Sequence, residues 1–443
     1  MTWRYEEIPL AYQKTFQWVF EEPTRPHGWN DFAAHLSRPD LTSPYFINGK
    51  AGSGKSTLMK FIVGHPKTKE ALAQWASNGE LMIVKFFFGN LGTDLQKTSI
   101  GMLRALMHDI LERYPELIPG VFSGMYQSWR DTAPASENQP NYIEMKSAFE
   151  RLIRNSAKFL KLCVFIDGID EFDGDHKDIS EFIRSLASQH VKIVVSSRPI
   201  TACLNAFHGC PTLKLQDLTE YDMELYVKDN LAAHRSMVEL TKRFPQETSE
   251  LVAELKEKAA GVFLWVRLVV RLLVDGIEAG DDVRDLQRKL RSLPPDLRAL
   301  YRRMISKMEP DYQVQAAEIF QLLHAWNLYI PDQPFRTIVL SFAVQSPSKA
   351  FSQQALPLHS ETYQWLCKKT KARVSSRCCG LLDSGSPQVN YTEMNGSVVD
   401  YLHRTVAEFL ASDDVWGEIC GMTKASGFDA ALSLASACLS MIK

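Results

Sequence analysis

The sequence has little of several features that would assign it to a specialised class of protein. Its 443 residues carry 50 Lys and Arg against 52 Asp and Glu, so the net charge of -2 gives no basic field for neutralising nucleic-acid phosphates. The eight cysteines form no C-x-x-C pairs and are too sparse for a disulfide scaffold, which predicts reduced thiols in a cytosolic protein. No repeat with a period of roughly 30 to 45 residues occurs, so no solenoid is expected.

Long hydrophobic segments are also scarce. The N-terminal stretch MTWRYEEIPL has no basic segment followed by an apolar one, so we expect no secretory signal. The longest apolar run, residues 261–274, is interrupted by Arg267 and Arg271 and is shorter than the ~20 residues of a membrane span. A buried amphipathic helix accounts for this run, and no membrane partner is expected.

What the sequence does contain is the composition and periodicity of a multidomain globular protein. Hydrophobic residues make up 45% of the chain, and its length exceeds the roughly 250 to 300 residues that one core supports. Short apolar runs alternate with amphipathic helices between residues 45 and 215, which predicts a parallel sheet covered by helices on both faces. The predicted strands are 45–48, 81–88, 162–166, 191–196 and 212–215. The predicted helices among them are 56–63, 98–114, 143–155 and 178–188.

The pattern changes after residue 216, where strand signals give way to successive helices. Helices are predicted at 221–231, 247–259, 263–275, 282–290, 295–307 and 312–326. Two short strands at 377–383 and 397–402, followed by helices at 405–410 and 427–442, are typical of a winged-helix unit. The predicted organisation is a lead-in at 1–40 with a helix at 12–20, an α/β domain at 41–216, a helical domain at 217–308, a winged-helix-like domain at 309–420 and a C-terminal helix at 421–443.

The segment YFINGKAGSGKSTLMKFI joins a predicted strand to a predicted helix and contains the pattern G-x-x-x-x-G-K-[ST]. Its glycines let backbone N–H groups turn toward phosphate oxygens, and the N-terminus of the helix adds its positive dipole. Lys55 is expected to reach the β- and γ-phosphates, and Ser56 to bind Mg²⁺. The expected nucleotide-binding residues are Gly49, Lys50, Ala51, Gly52, Ser53, Gly54, Lys55, Ser56 and Thr57. The pattern therefore predicts a P-loop that binds ATP or ADP with Mg²⁺.

A P-loop needs a second, acidic strand to hold the metal, and KLCVFIDGIDEFDG supplies one. Its apolar run predicts a central strand that ends at Asp167, at the edge where ligands bind in open α/β sheets. Asp167 is the expected second metal ligand beside Ser56. Asp170 and Glu171 follow on the turn as candidates for polarising the attacking water, Glu171 being favoured. The alternative for these two carboxylates is a solvated acidic turn.

An arginine follows the next strand. The segment VKIVVSSRP predicts that Arg198 lies at the same edge of the sheet as the acidic strand. An arginine in this position stabilises negative charge that develops on a γ-phosphate. The alternative is a solvated loop side chain. The candidate catalytic residues are therefore Lys55, Asp170, Glu171 and Arg198.

Together, GKAGSGKST, FIDGIDE and SSRP resemble the NACHT class of signal-transduction ATPases, in particular fungal proteins with a nephrocystin-like N-terminal NTPase module. Further similar stretches are KTFQWVF, VKFFFGNLGTDLQKTSIGMLRALMHDIL, AAGVFLWVRLVVRLLVDGI and LPPDLRALYRRM, so the resemblance covers most of the chain. In that class a small residue and then an acidic pair follow the metal-binding aspartate, as Gly168, Asp170 and Glu171 follow Asp167 here. The resemblance implies self-assembly of the ATP-bound form and an effector protein as partner.

Related switch ATPases place a histidine after a winged-helix strand, where it contacts the β-phosphate of ADP. The segment YLHR is similar, so the resemblance implies that His403 is a further nucleotide-binding residue. Arg404 departs from the aspartate of the plant relatives, and a helix-capping role for His403 is the alternative. Residues 381–408 mix acids with few bases, so no nucleic-acid partner is expected.

These features lead to one expected function and two alternatives. The expected function is an ATP-binding switch with slow Mg-dependent hydrolysis coupled to domain rearrangement. The first alternative is a non-catalytic scaffold that holds its nucleotide permanently. The second is a small-molecule phosphotransferase, which would need an acceptor pocket and an arginine-rich lid that the sequence does not indicate.

Overall fold

The computed structural model describes residues 3–8, 10–12, 15–23, 29–77, 79–89, 94–124, 126–127, 140–331, 333–345, 359–385 and 397–442. The chain forms two compact units, Met1–Val270 and Arg271–Lys443. The domain boundaries predicted from the sequence remain predictions.

The first unit is built on a five-stranded parallel sheet. Its strands are β1 (Tyr45–Asn48), β2 (Glu80–Phe87), β3 (Leu160–Asp167), β4 (Val191–Ser197) and β5 (Thr212–Lys214). They pair in the order β2-β3-β4-β1-β5. All residues of β1 and β4 are buried, as expected for central strands of a sheet covered on both faces.

Helices pack on both faces of this sheet. Alternate residues of β3 point to opposite faces, so Val164 and Ile166 belong to one apolar cluster while Cys163 and Phe165 belong to the other. The helices of this unit are Trp3–Glu7, Phe32–Ser37, Lys55–Gly64, Pro66–Ala76, Asp94–Lys97, Ser99–Arg113, Ile118–Val121, Tyr142–Ser156, His176–Leu186, Thr201–Ala206, Glu220–Val227, Arg235–Arg243, Pro245–Ala259 and Phe263–Glu278, the last of which ends in the second unit.

A buried lysine connects the lead-in to the sheet. Lys192 in β4 donates hydrogen bonds from Nζ to the carbonyl oxygens of His35 (2.6 Å), Arg38 (2.9 Å) and Leu41 (3.1 Å). These acceptors lie at and after the end of helix Phe32–Ser37, where carbonyl groups have no partner within the helix. The ammonium group therefore satisfies the end of this helix and fixes it against the amino edge of the sheet.

The five predicted strands are confirmed, whereas the lead-in differs from its prediction. Only Gln17–Phe20 of the predicted helix at 12–20 is helical, as a 3₁₀ turn, and residues 13–14 lie outside the described part. Phe16 has a φ of +65°, a conformation through which a right-handed helix cannot pass. Leu215, predicted as strand, begins the 3₁₀ turn Leu215–Asp217 instead.

The second unit is helical with one short antiparallel ladder. Its helices are Val283–Ser292, Leu297–Ser306, Pro310–Tyr329, Thr337–Ala343, Ser360–Arg377, Arg404–Leu410, Asp413–Thr423 and Ala430–Ile442. The strands β6 (Leu382–Asp383) and β7 (Asp400–Tyr401) pair antiparallel. The predicted strand at 377–383 is therefore too long, because helix Ser360–Arg377 occupies its first residue. The predicted fold class, a parallel α/β sheet followed by helices and a winged-helix-like arrangement, is confirmed.

Two further expectations concern membranes and thiols. In the part of the chain that is described, no single helix has the length and apolarity to cross a membrane, although Asp413–Ser426 and Ala430–Ile442, bent by 67°, meet that test as a pair. All eight cysteines are free thiols.

Candidate nucleotide-binding site

The carboxyl ends of the parallel strands bring the predicted site residues to one edge of the sheet. Asn48 at the end of β1 is level with Ser197 in β4, and Phe87 in β2 is level with Asp167 in β3. The P-loop follows β1 and Arg198 follows β4. Side chains from four different segments therefore meet where ligands bind in open α/β sheets.

The loop after β1 has the backbone that a phosphate cradle requires. Gly52 has a φ of +73° and Gly54 a φ of +97°, and Gly54 caps helix Lys55–Gly64. Gly49 is needed for space, because a β-carbon there would lie 2.7 Å from Ser53 Oγ and 3.3 Å from Gln216 Oε1. Among the described residues, these two buried oxygen atoms have no hydrogen-bond partner. A polar ligand that enters the loop therefore fits the groups around it.

Lys55 lies across the mouth of this loop. Its Nζ donates hydrogen bonds to the carbonyl oxygens of Gly49 (2.7 Å) and Lys50 (3.0 Å). The ammonium group is thereby held beside the backbone that surrounds the cradle. From this position a lysine reaches the phosphates of a bound nucleotide as a point charge.

The structure brings the two predicted metal ligands together. Asp167 is 2% exposed, and its carboxylate accepts a hydrogen bond from the hydroxyl of Ser196. Burial raises the pKa of Asp167, whereas hydrogen bonding to Ser196 and Ser56 and the positive charges of Arg4 and Lys55 lower it. A hydroxyl and a carboxylate at the cradle are hard oxygen ligands of the kind that Mg²⁺ takes beside nucleotide phosphates.

Asp170 and Arg198 form a pair at the same edge. Arg198 donates from its backbone N to Asp170 Oδ1 at 2.8 Å, and its Nε lies 3.2 Å from Asp170 Oδ2. The Asp170 side chain is only 5% exposed, whereas that of Arg198 is 27% exposed. The structure therefore gives Asp170 the role of positioning Arg198, and its predicted role in polarising water stays a prediction.

Glu171 ends the 3₁₀ turn Ile169–Glu171 and is 8% exposed. Gly168, which precedes this turn, has a φ of +74°, and a β-carbon there would lie 3.2 Å from Glu171 Oε1. The small residue after Asp167 thus allows the tight turn that returns the Glu171 carboxylate toward the strand end.

The lead-in segment contributes to the site, a feature that the sequence analysis missed. Asp222 accepts hydrogen bonds from the backbone N of Phe16 (3.2 and 3.3 Å) and from Trp18 Nε1 (3.0 Å). The Phe16 ring lies 3.5 Å from the position of a β-carbon on Gly54 in the P-loop. Burial raises the pKa of Asp222 to about 6, and the bonds from Trp18 and Phe16 oppose this rise.

A second missed contact supports the P-loop from residues 260–264. Gly52 O accepts a hydrogen bond from the backbone N of Leu264 (3.0 Å), and Lys50 Nζ donates to Ala260 O (3.1 Å). Gly261 has a φ of +78°, and a β-carbon there would lie 2.2 Å from Gln216 O. The turn before helix Phe263–Glu278 thus packs directly on the backbone of the phosphate loop. The stretch AAGVFLW was the only sequence signal for it.

His403 lies in the second unit as the N-cap of helix Arg404–Leu410. Its Nδ1 accepts a hydrogen bond from the backbone N of Thr405 (3.2 Å) and lies 2.9 Å from Thr405 Oγ1. The capping alternative is therefore confirmed, and the predicted contact between His403 and nucleotide stays a prediction.

Comparison with known families assigns two parts of the chain. Residues 14–198 match the family described as nephrocystin 3, N-terminal, a NACHT-like P-loop NTPase domain. Residues 307–443 match a domain family of unknown function, DUF7791. No curated protein matches the sequence.

Three solved structures align with most of the chain at low identity. The ORC1 protein of Aeropyrum pernix in complex with DNA is 11% identical, over 91% of this chain and 97% of that one, with a TM-score of 0.31. Drosophila ORC bound to DNA is 15% identical, over 89% and 93%, with a TM-score of 0.33. Cdc6p from Pyrobaculum aerophilum is 11% identical, over 92% and 98%, with a TM-score of 0.29.

Proposed function

We propose, from the premise that residues 14–198 match the nephrocystin 3 N-terminal family of NACHT-like P-loop NTPase domains, that the chain is an ATP-binding switch that hydrolyses Mg-ATP slowly. The observation that carries the proposal is a glycine-lined loop with two unsatisfied buried oxygen atoms, Ser53 Oγ and Gln216 Oε1, at the same sheet edge as the buried carboxylate of Asp167. The metal site and the phosphate cradle thus meet at one sheet edge.

Each residue at this edge has a separate role in the proposed hydrolysis. The P-loop backbone and Lys55 hold the phosphates, and Ser56 and Asp167 hold Mg²⁺, which supplies charge neutralisation when bound. Glu171 orients the attacking water and accepts its proton. Arg198, fixed by Asp170, stabilises the charge that develops on the transferred phosphoryl group.

Two contacts support a switch rather than a simple hydrolase. The P-loop contacts Phe16 in the lead-in and Leu264 in the first turn of helix Phe263–Glu278, so both flanking segments contact the element that holds the phosphates. A nucleotide shifts an equilibrium only through contacts that differ between two states, and these contacts are suited to such a difference. Self-assembly in the ATP-bound form and an effector protein as partner belong to the same proposal.

The direct test compares nucleotide affinity of the wild type with that of Lys55→Ala. Calorimetry with Mg-ADP and with a non-hydrolysable Mg-ATP analogue is expected to give saturable binding that Lys55→Ala loses. Lys177→Ala is the matched control. It removes the same charge from an exposed position on another helix. Failure of the wild type to bind, or equal affinity of Lys55→Ala, would refute the proposal.

A second measurement separates the switch from a non-catalytic scaffold. Glu171→Gln is expected to retain Mg-ATP binding while phosphate release stops, since the amide accepts no proton from water. The mass of the protein with ADP and with the ATP analogue then reports assembly. Unchanged phosphate release in Glu171→Gln, or an oligomeric state independent of nucleotide, would favour the scaffold.

A further inference from the structure

The N-terminal helix Trp3–Glu7 packs beside the P-loop helix. The Tyr5 ring makes an edge contact with Phe87 of β2 at 5.1 Å between centroids. Lys60 of the P-loop helix lies 5.2 Å from the Tyr5 ring and donates from Nζ to Glu6 O (3.1 Å) and Ile8 O (2.6 Å). The helix is therefore fixed between β2 and the P-loop helix, on the face of the sheet that the P-loop helix covers.

This packing directs one side chain, Arg4, toward the metal-binding edge. A β-carbon on Gly89 would lie 3.3 Å from Arg4 Cδ and 3.5 Å from Arg4 Cγ, so the arginine stem crosses the backbone just after β2. In that segment Phe88 N donates to Asp167 O at 3.0 Å. Because Gly89 is the next residue after Phe88, the arginine stem lies one residue beyond the backbone contact with Asp167. The absence of a side chain at Gly89 leaves room for this approach.

The order of the strands places Arg4 relative to the phosphate chain. The P-loop follows β1, Asp167 ends β3 two strands away, and Gly89 follows β2, which is one strand further. A phosphate chain that begins in the loop and reaches the metal-binding carboxylate presents its terminal phosphate nearest to β2. A guanidinium group offers paired N–H donors to phosphate oxygens in that place.

We propose that Arg4 is a further phosphate-binding residue, which contacts the terminal phosphate of bound ATP and has no counterpart contact with ADP. This inference rests on the proposed nucleotide-binding function. It makes docking of the N-terminal helix depend on the third phosphate, because the helix gains a contact with ATP that ADP does not supply.

The test measures how strongly each variant prefers ATP to ADP. Arg4→Ala is expected to weaken binding of a non-hydrolysable Mg-ATP analogue by about tenfold or more, with Mg-ADP affinity unchanged, because one charge-assisted contact is lost. Arg4→Lys retains the charge without the paired donors and is expected to keep part of the preference. Arg38→Ala removes an exposed arginine near the opposite, amino edge of the sheet and serves as the control.

Each outcome distinguishes this inference from the proposed function. Two results would overturn the role of Arg4 alone. In the first, Lys55→Ala abolishes nucleotide binding while Arg4→Ala leaves it unchanged. In the second, Arg4→Ala weakens binding of the ATP analogue and of ADP equally. If the wild type bound no nucleotide, the proposed function itself would fail. Should Arg4→Ala not fold, hydrogen exchange of residues 3–8 in the wild type decides, since slower exchange with the ATP analogue than with ADP is required.

Discussion

Asp170 makes two contacts with Arg198. Its Oδ1 accepts a hydrogen bond from the backbone N of Arg198 at 2.8 Å, and its Oδ2 lies 3.2 Å from Arg198 Nε. The first contact fixes the chain direction after β4, and the second fixes the guanidinium plane. The aspartate is buried and the arginine is partly exposed. The buried carboxylate therefore holds the guanidinium group of Arg198 in place at the sheet edge where the P-loop lies. In the proposed hydrolysis, Asp170 therefore acts through Arg198.

The first prediction follows from this pair. Asp170→Ala and Arg198→Ala are each expected to lower single-turnover phosphate release by about tenfold or more, since a preorganised charge is lost. The double variant is expected to lose no more than either single variant, because both remove the same positioned group. Asp173→Asn, which changes an exposed carboxylate two residues after the turn Ile169–Glu171, serves as the control. Additive losses in the double variant would contradict the positioning role.

The second prediction concerns the turn that supports the P-loop. Gly261→Ala is expected to lower the unfolding free energy by about 2 kcal/mol or more and to weaken nucleotide binding, because its β-carbon would collide with Gln216 O. Gly209→Ala has a similar φ of +76° with no atom within 4 Å of the added carbon. Urea denaturation should show a cost near 1 kcal/mol for this control, from backbone strain alone. Equal costs for both would show that the contact with Gln216 adds nothing.

A pH dependence is expected from Asp222. The pKa of this carboxyl is raised from 3.8 to about 6 in the folded protein, so the folded state binds the proton more tightly than the unfolded state. Its contribution to stability therefore falls as pH rises from about 4 to about 6 and is constant above that window. Asp222→Asn removes this component. Urea unfolding should show that the unfolding free energy of the wild type, relative to that of the variant, falls as pH rises across this range. The same change with pH in both proteins would argue against this role of Asp222.

The fourth prediction concerns the buried lysine in β4. Lys192→Met is expected to lower the unfolding free energy by about 3 kcal/mol, because it leaves three carbonyl oxygens at the end of helix Phe32–Ser37 without their donor. Lys161→Met is a matched control on the same sheet, since Lys161 is also near Trp75 but is only partly buried and donates to one carbonyl. Its expected cost is below about 1 kcal/mol. Similar midpoints of denaturation for the two variants would exclude the capping role of Lys192.

The parts of the fold with a local pattern were predictable from the sequence. Strands β1 to β4 are largely apolar, and the loop glycines lie at the spacing that a phosphate cradle requires, so β1 and the P-loop lie where the sequence predicts them. The acidic strand was recognisable for the same reason, and the structure buries Asp167 at its carboxyl end.

The contacts that complete the site were not predictable, because they join residues far apart in sequence. Phe16 and Asp222 are 206 positions apart, and no local periodicity signals their pairing. The same pairing explains the failed lead-in helix, since a buried carboxylate holds the Phe16 N–H in a conformation that apolar spacing at 12–20 does not reveal. The approach of Arg4 to Asp167 likewise needs the folded sheet before it exists.

The strand order has a consequence for synthesis on the ribosome. β1 pairs only with β4 and β5, so Tyr45 meets its neighbour Val194 after about 150 further residues have been translated. At cellular elongation speeds this takes on the order of ten seconds or more, during which the glycine loop has no partner strand to hold its shape. A nascent chain should therefore gain affinity for nucleotide only once β5 has left the exit tunnel. Binding of ATP would then stabilise completed domains and not incomplete ones.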